Sequence, residues 1–123
     1  MENEAKRAVN LYIQAASELN PATRAALLEA CFAENGRMIT RSREIHGRAA
    51  ISEMISRFWA DPQSLRIRLI TEVDAMGKMF RFGSVVECRD GSVLHNFDAG
   101  EIDTDGRISL ILAFAGPLGG VVS

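Results

Sequence analysis

The chain has 123 residues, 47% hydrophobic and 24% charged, with a formal net charge of −2. That size suits one domain with a core of its own, and the balance of residue types excludes a disordered chain. The near-neutral charge and scattered arginines leave no basic patch, which argues against nucleic-acid binding, whose affinity comes mainly from phosphate neutralisation.

From Ala5 to Leu19, the residues Ala5, Ala8, Val9, Tyr12, Ile13 and Ala16 recur at helical spacing and predict a first helix with one buried face. Asn20-Pro21 then supplies an N-cap followed by proline at the first helical position. Leu27, Leu28, Cys31 and Phe32 continue that second helix, and Asn35-Gly36 predicts its end after Glu34. Arg37 to Ile45 alternates weakly, with Met38 and Thr40 on one face, and reads as a short edge strand and loop. After His46-Gly47-Arg48, the spacing of Ile51, Met54, Ile55, Phe58 and Trp59 predicts a third helix, stopped by Asp61-Pro62.

The period then changes from 3.6 to 2. Leu65, Ile67, Leu69, Thr71 and Val73 form one face of a half-buried strand, and Ala75-Met76-Gly77-Lys78 reads as a turn. Met79 to Cys88 is a second strand, with Phe80, Phe82, Ser84, Val86 and Cys88 on one face and Gly83 marking a bulge. Arg89-Asp90-Gly91 turns the chain into a hairpin centred on Thr104-Asp105-Gly106-Arg107. On its first strand, Leu94, Asn96, Asp98, Gly100 and Ile102 share a face, opposite Val93, His95, Phe97, Ala99 and Glu101. Its second strand sets Ile108, Leu110, Leu112 and Phe114 against Ile111, Ala113 and Ala115, and apolar residues on both faces predict cover on both sides. Three helices followed by four antiparallel strands give an α+β fold, with helices collected on one side of a curled sheet.

Cys31 and Cys88 make no zinc or disulfide spacing, and no phosphate loop, nucleophilic triad or metal cluster is present, so no cofactor is expected. Gly116-Pro117-Leu118-Gly119-Gly120 lacks a lysine and opens no helix, so it reads as a flexible tail. The acidic start Met1-Glu2-Asn3-Glu4 is unlike a secretion signal, and the glycines and proline after Gly116 break the best apolar run. The expectation is a cytoplasmic protein without a membrane span.

His46-Gly-Arg-Ala-Ala-Ile51 opening a helix with Phe58-Trp59, and Phe97-Asp-x-Gly-Glu-Ile-Asp-Thr-Asp-Gly-Arg-Ile108 running on to Phe114-Ala-Gly-Pro117, resemble the SnoaL-like branch of the NTF2-like superfamily. The resemblance spans nearly the whole chain. It implies a cone-shaped α+β barrel, a homodimer through the sheet, and a pocket between the sheet and the first and third helices. Relatives include ketosteroid isomerase, polyketide cyclases, epoxide hydrolases and dehydratases. By comparison with ketosteroid isomerase, Asp98 falls on the position of the aspartate that donates a hydrogen bond to the oxyanion. Tyr12 matches the partner tyrosine, and Thr40 stands where the catalytic base would be. A hydroxyl without an activator cannot take a carbon-bound proton, so that reaction is disfavoured.

The residues themselves leave each role open. Asp98 is either a solvated strand acid or an acid in a dry pocket, where its pKa would rise and let it donate. Asn96 on the same face orients a ligand or is solvated, and Tyr12 is a core residue or a ligand donor. His46 is a loop residue or a general base or acid at a pocket mouth. His95, on the opposite face, reads as a surface or interface residue. Trp59 packs in the core or lines the pocket, and the methionines fill gaps. The leading expectation is an apolar pocket for a small organic ligand, with Asp98 and His46 as acid–base groups and Tyr12, Asn96, Thr40 and Trp59 as ligand contacts. The alternative is a non-catalytic binding or dimerisation module.

Overall fold

The structure, a computed structural model, describes residues 2–116. Helix α1 (Glu2–Ser17) and helix α2 (Pro21–Cys31) come first. A short β hairpin follows, made of β1 (Phe32–Ile39) and β2 (Glu44–His46), then helix α3 (Arg48–Ala60). Strands β3 (Ser64–Leu69), β4 (Asp74–Met76), β5 (Met79–Cys88), β6 (Val93–Ile102) and β7 (Ile108–Ala115) complete the described residues. The sheet runs β2-β1-β7-β6-β5-β3, with β4 paired to β5 beside β3. Every pairing is antiparallel except β1 with β7.

Of the predicted α1 stripe, Ala5, Ala8, Val9, Tyr12 and Ala16 are buried and Ile13 is partly so, Ala15 is buried as well, and the small alanine side chains let the helix sit close to the sheet. At α2 the Asn20 side chain accepts from the N–H groups of Ala22 (2.9 Å) and Thr23 (3.2 Å), with Pro21 opening the helix. Trp59 fastens α3 to α1, because its indole N–H donates to the Ala16 carbonyl at 2.7 Å. Beside it lies a buried charge that sequence pattern did not suggest. Arg24, 1% exposed, donates to the carbonyls of Glu18 and Ser52 and the hydroxyl of Ser56. Neutral acceptors thus satisfy a buried guanidinium and lock the α1–α2 corner onto α3.

Several expectations are corrected. Helix α2 stops at Cys31, three residues before the predicted end, because Phe32 and Ala33 gain burial as the start of a strand. Asn35-Gly36 is therefore not a helix exit. Gly36 lies in β1 where the register against β7 shifts, and a Cβ there would press on the Phe32 ring and the Ile108 carbonyl. Nor is β1 an edge strand, since it lies between β2 and β7 and its parallel pairing makes the sheet mixed. The strand predicted from Leu65 onward breaks after Leu69, and Ala75 and Met76 belong to β4 with Asp74 rather than to the turn, which narrows to Gly77 (φ 59°) and Lys78.

Gly83 is no bulge, because β5 pairs with β6 without interruption from Met79 to Glu87. Its missing side chain admits Thr71, whose hydroxyl accepts from the Gly83 N–H at 2.8 Å as the chain crosses between β3 and β4. The irregularity lies instead between Glu101 and Ile102, opposite Ser109, whose hydroxyl donates to the Glu101 carbonyl at 3.1 Å. Ile108 thereby joins Ile111 in the core instead of sharing a face with Leu110. The hairpin turn itself is as predicted. Gly106 takes φ 77°, and the Asp103 carboxylate accepts from the N–H groups of Asp105 (2.9 Å) and Arg107 (3.0 Å). Residues 117–120, the greater part of the predicted tail, lie outside the described residues.

Candidate functional site

The inward sheet face and two helices enclose a cavity of about 340 Å³. Tyr12, Ile13 and Ala16 of α1 form one wall, and Met54, Ile55 and Phe58 of α3 form another. The sheet contributes Met38, Ile67, Phe82, Ser84, Val86, Asn96, Asp98, Ala113 and Ala115, and the loop after β1 adds Thr40, Arg41 and Ser42 at the rim. Strand alternation decides which hairpin residues face this space. In register, Asp98 stands opposite Ala113 and Asn96 opposite Ala115, so each polar side chain faces a methyl group across the strand. On the other flank Asp98 pairs with Phe82 and Asn96 with Ser84.

Burial pushes the Asp98 carboxyl up from its ordinary 3.8 to about 7, against a smaller opposing effect from a backbone hydrogen bond at Phe114. Near neutrality the group therefore holds its proton part of the time and can donate. Tyr12, 7% exposed, is pushed well above the ordinary phenol range, first by burial, then by the charge of Asp98 and of Cys31. It is thus a neutral phenol in electrostatic contact with Asp98. Its hydroxyl donates to no other described residue and is not a sealed-off orphan, so it opens onto the cavity. Cys31, buried behind Tyr12, is pushed up to about 12 by burial, against the opposing charges of Arg7 and Arg48, and is a neutral thiol.

Four predicted site residues, Tyr12, Thr40, Asn96 and Asp98, come together in this wall. Thr40 is already engaged. Its hydroxyl accepts from the N–H groups of Ser42 (3.3 Å) and Arg43 (3.2 Å) and lies 3.1 Å from the Arg43 carbonyl. His46 does not join them. It sits on β2 outside the cavity wall, with its side chain 67% exposed and its Nε2 3.4 Å from a Glu44 carboxylate oxygen, because β2 is the outermost strand beyond β1. Trp59 is also outside the wall, since its indole is turned toward α1 by the bond to Ala16. His95 is exposed on the opposite sheet face, as alternation predicted.

Ser84 and Arg41 were not picked out from sequence. A lone serine within the apolar face Phe80–Phe82–Ser84–Val86 was a legible signal for the first. Arg41 had none, because a loop arginine is ordinarily a solvated one. Among the described residues no three His, Cys, Asp or Glu side chains converge as a metal-binding group, and no helix is long and apolar enough to cross a membrane.

No family model matches the sequence, and no curated protein matches it. Solved structures do match. An isomerase candidate of the SnoaL-like family from Agrobacterium tumefaciens superposes with a TM-score of 0.83 at 24% identity, over 94% of this chain and 99% of that one. An NTF2-like protein of unknown function from Burkholderia xenovorans gives 0.72 at 12% identity, over 98% and 89% of the two chains. An epoxide hydrolase of the LEH-like type from M. tuberculosis gives 0.68 at 16% identity, over 93% and 84%. At these identities the likeness concerns the fold: the chain has the NTF2-like α+β architecture, and fold alone assigns no activity.

Proposed function

We propose that this NTF2-fold protein binds a small, largely apolar organic molecule in the cavity and sets one polar atom, a carbonyl or ether oxygen, against Asp98 and Tyr12. The observation that carries this reading is that Asp98 and Tyr12 line one otherwise apolar cavity, where burial pushes the carboxyl up to about 7 and keeps the phenol neutral. Two donors aimed at one oxygen stabilise negative charge as it develops there, and a carboxyl near its pKa can both give and take a proton. The reactions this suits are cofactor-independent isomerisation, cyclisation or hydration, with Asp98 as the acid, Tyr12 as the second donor and Asn96 orienting the ligand. The similarity to an isomerase candidate and an epoxide hydrolase supports the same class of chemistry.

A second reading, a binding module without turnover, is favoured by one observation. Among the described residues the wall holds no second carboxylate and no histidine, and the Thr40 hydroxyl is tied into its own turn. A thermal-shift screen with hydrophobic ketones, lactones and epoxides tests for a ligand. A true ligand at a hundred times its Kd raises stability by about 2.7 kcal/mol. Incubating each hit with protein and following it by NMR then separates the readings. Turnover abolished in Asp98→Asn supports the enzyme, whereas binding with no consumption supports the module.

The outer sheet face is the proposed contact between two copies. It pairs Phe97 with Phe114 and Ala99 with Leu112, and Phe114 is half exposed in the single chain. Light scattering across a concentration series should give a dimer mass, and a strict monomer at every concentration would contradict this assembly.

A further inference from the structure

A second polar pair in the cavity wall narrows the class of ligand, and this inference rests on the cavity reading above. Ser84 of β5 and Asn96 of β6 are partners in register, and strand alternation puts them on the inward face that also carries Phe82 and Asp98. Both line the cavity. They lie two residues from the Phe82–Asp98 pair, on the side of the β5–β6 turn, which at the rise of an extended strand separates the two pairs by about 7 Å.

The buried polar side chains among the described residues are Arg24, Ser64 and Ser84. Arg24 is satisfied by carbonyls and a serine hydroxyl, and the Ser64 hydroxyl donates to the Phe58 carbonyl at 2.8 Å. Ser84 is the exception. It is 5% exposed, its neighbours Phe82, Val86 and, across the strand, Leu69 are apolar, and its hydroxyl has no hydrogen-bond partner among the described residues. The Asn96 side chain has none either, although it stands directly opposite. Neither group is sealed into the packing, since no fully buried side-chain nitrogen or oxygen is left unsatisfied, so both open onto the cavity. An unpaired hydroxyl and an unpaired amide on an apolar wall cost the fold hydrogen bonds that a ligand can restore.

We infer that the ligand is a hydroxylated carbonyl compound: its carbonyl oxygen sits against Asp98 and Tyr12, and a hydroxyl at the other end of a compact apolar skeleton is held between Ser84 and Asn96. A hydroxyl is donor and acceptor at once, and it matches a serine and an amide that each offer both. A second ketone oxygen would use only their donors. Neither side chain brings a charge, so an ionised group at that place would be buried without compensation. A skeleton with no polar group there would cover the serine and the amide and leave both unpaired, which is how the pair discriminates against a plain ketone.

Titration calorimetry at pH 6, where Asp98 largely keeps its proton, with 2-tetralone and 6-hydroxy-2-tetralone tests this, because the second ketone adds a hydroxyl at the far end of the same skeleton. The hydroxylated ketone should bind about tenfold more tightly. Ser84→Ala and Asn96→Ala should each shrink that preference and together abolish it, while Arg57→Gln on the exposed side of α3 should leave the ratio unchanged. Ser84→Ala should also melt no lower than the unaltered protein, because the hydroxyl it removes is satisfied by nothing in the fold. Equal affinity of the two ketones in the unaltered protein, a preference that survives both substitutions, or a clear drop in the melting temperature of Ser84→Ala overturns the second subsite, and binding of 2-tetralone would then still uphold the cavity reading. If neither ketone binds, the cavity reading falls and this inference falls with it.

Discussion

The two ends of the β6–β7 pair are built from the same register and come out opposite in character. Toward the hairpin turn, Gly100 faces Ile111, and Ile102, Ile108, Ile111 and Phe32 are all 1% exposed or less. Gly100 is glycine because a Cβ would run into the Leu110 carbonyl and the Phe80 ring. Two residues further along, the inward pairs become Asp98 with Ala113 and Asn96 with Ala115, and the packing opens into the cavity. The strands do not diverge, since pairing continues unbroken from Asn96 to Glu101. Side-chain volume alone makes one end solid and the other hollow, and that hollow holds the one carboxyl strongly shifted among the described residues.

The largest effect expected from this contrast is at the solid end. Gly100→Val should cost about 3 kcal/mol or more, because the obstacle is backbone and cannot move aside. A denaturant titration showing a loss under about 1 kcal/mol would mean that this end is softer than described.

The next effect is at Asp98. Well below pH 3.8 the carboxyl is protonated in both the folded and unfolded states, and burial costs nothing. As pH rises through the unfolded value of 3.8 toward the folded value of about 7, the unfolded chain gives up its proton first, so stability falls. Above about 7 the loss is complete and level. The shift sets a ceiling of about 4 kcal/mol, and relaxation of water into the hollow should reduce the observed loss to about 2. Asp98→Asn should flatten this slope in melting experiments between pH 4 and 8, while an unchanged slope would point to another group.

Filling the hollow is expected to be cheap in stability and costly in binding. Ala113→Leu should change stability by less than about 1 kcal/mol, since it adds apolar contact in empty space, yet weaken any cavity ligand at least about tenfold. Calorimetry on the variant checks both halves. The smallest effect should be that of Tyr12→Phe on the empty protein, about 0.5 kcal/mol or less, because the lost hydroxyl donates to no other described residue. A much larger loss would show that the phenol is a structural partner rather than a group held for a ligand.

Much of this contrast was legible in the sequence, and unevenly. Period-2 alternation put Asn96 and Asp98 on one face, and Asp105-Gly106 fixed the hairpin, because a hairpin turn sets register directly. The Asn20 cap and the α1 stripe were equally readable. The end of α2 was not, because Asn35-Gly36 carries a helix-exit signal locally while the burial of Phe32 is decided by strands far along the chain. The same long-range pairing put β1 inside the sheet and carried β2, with His46, beyond it, which removed the one residue that sequence offered as a base. The one-residue irregularity at Ser109 reassigned Ile108 to the core, and no local signal marks it. Arg24 was invisible for a simpler reason: nothing in its neighbourhood says that a guanidinium can be satisfied by carbonyls of the α1–α2 connection and by serines of α3.

The central claim is that the hollow end holds a carboxyl that burial pushes up to about 7, so that it keeps its proton part of the time near neutrality. Carbon-13 NMR of protein labelled at the aspartate side-chain carboxyls, with Asp98→Asn to assign the signal, measures it directly. The Asp98 carboxyl should titrate with a midpoint near 7, and ligand affinity should fall as pH rises past it. A midpoint near 4 would mean an ordinary solvated acid and would contradict the account of the site.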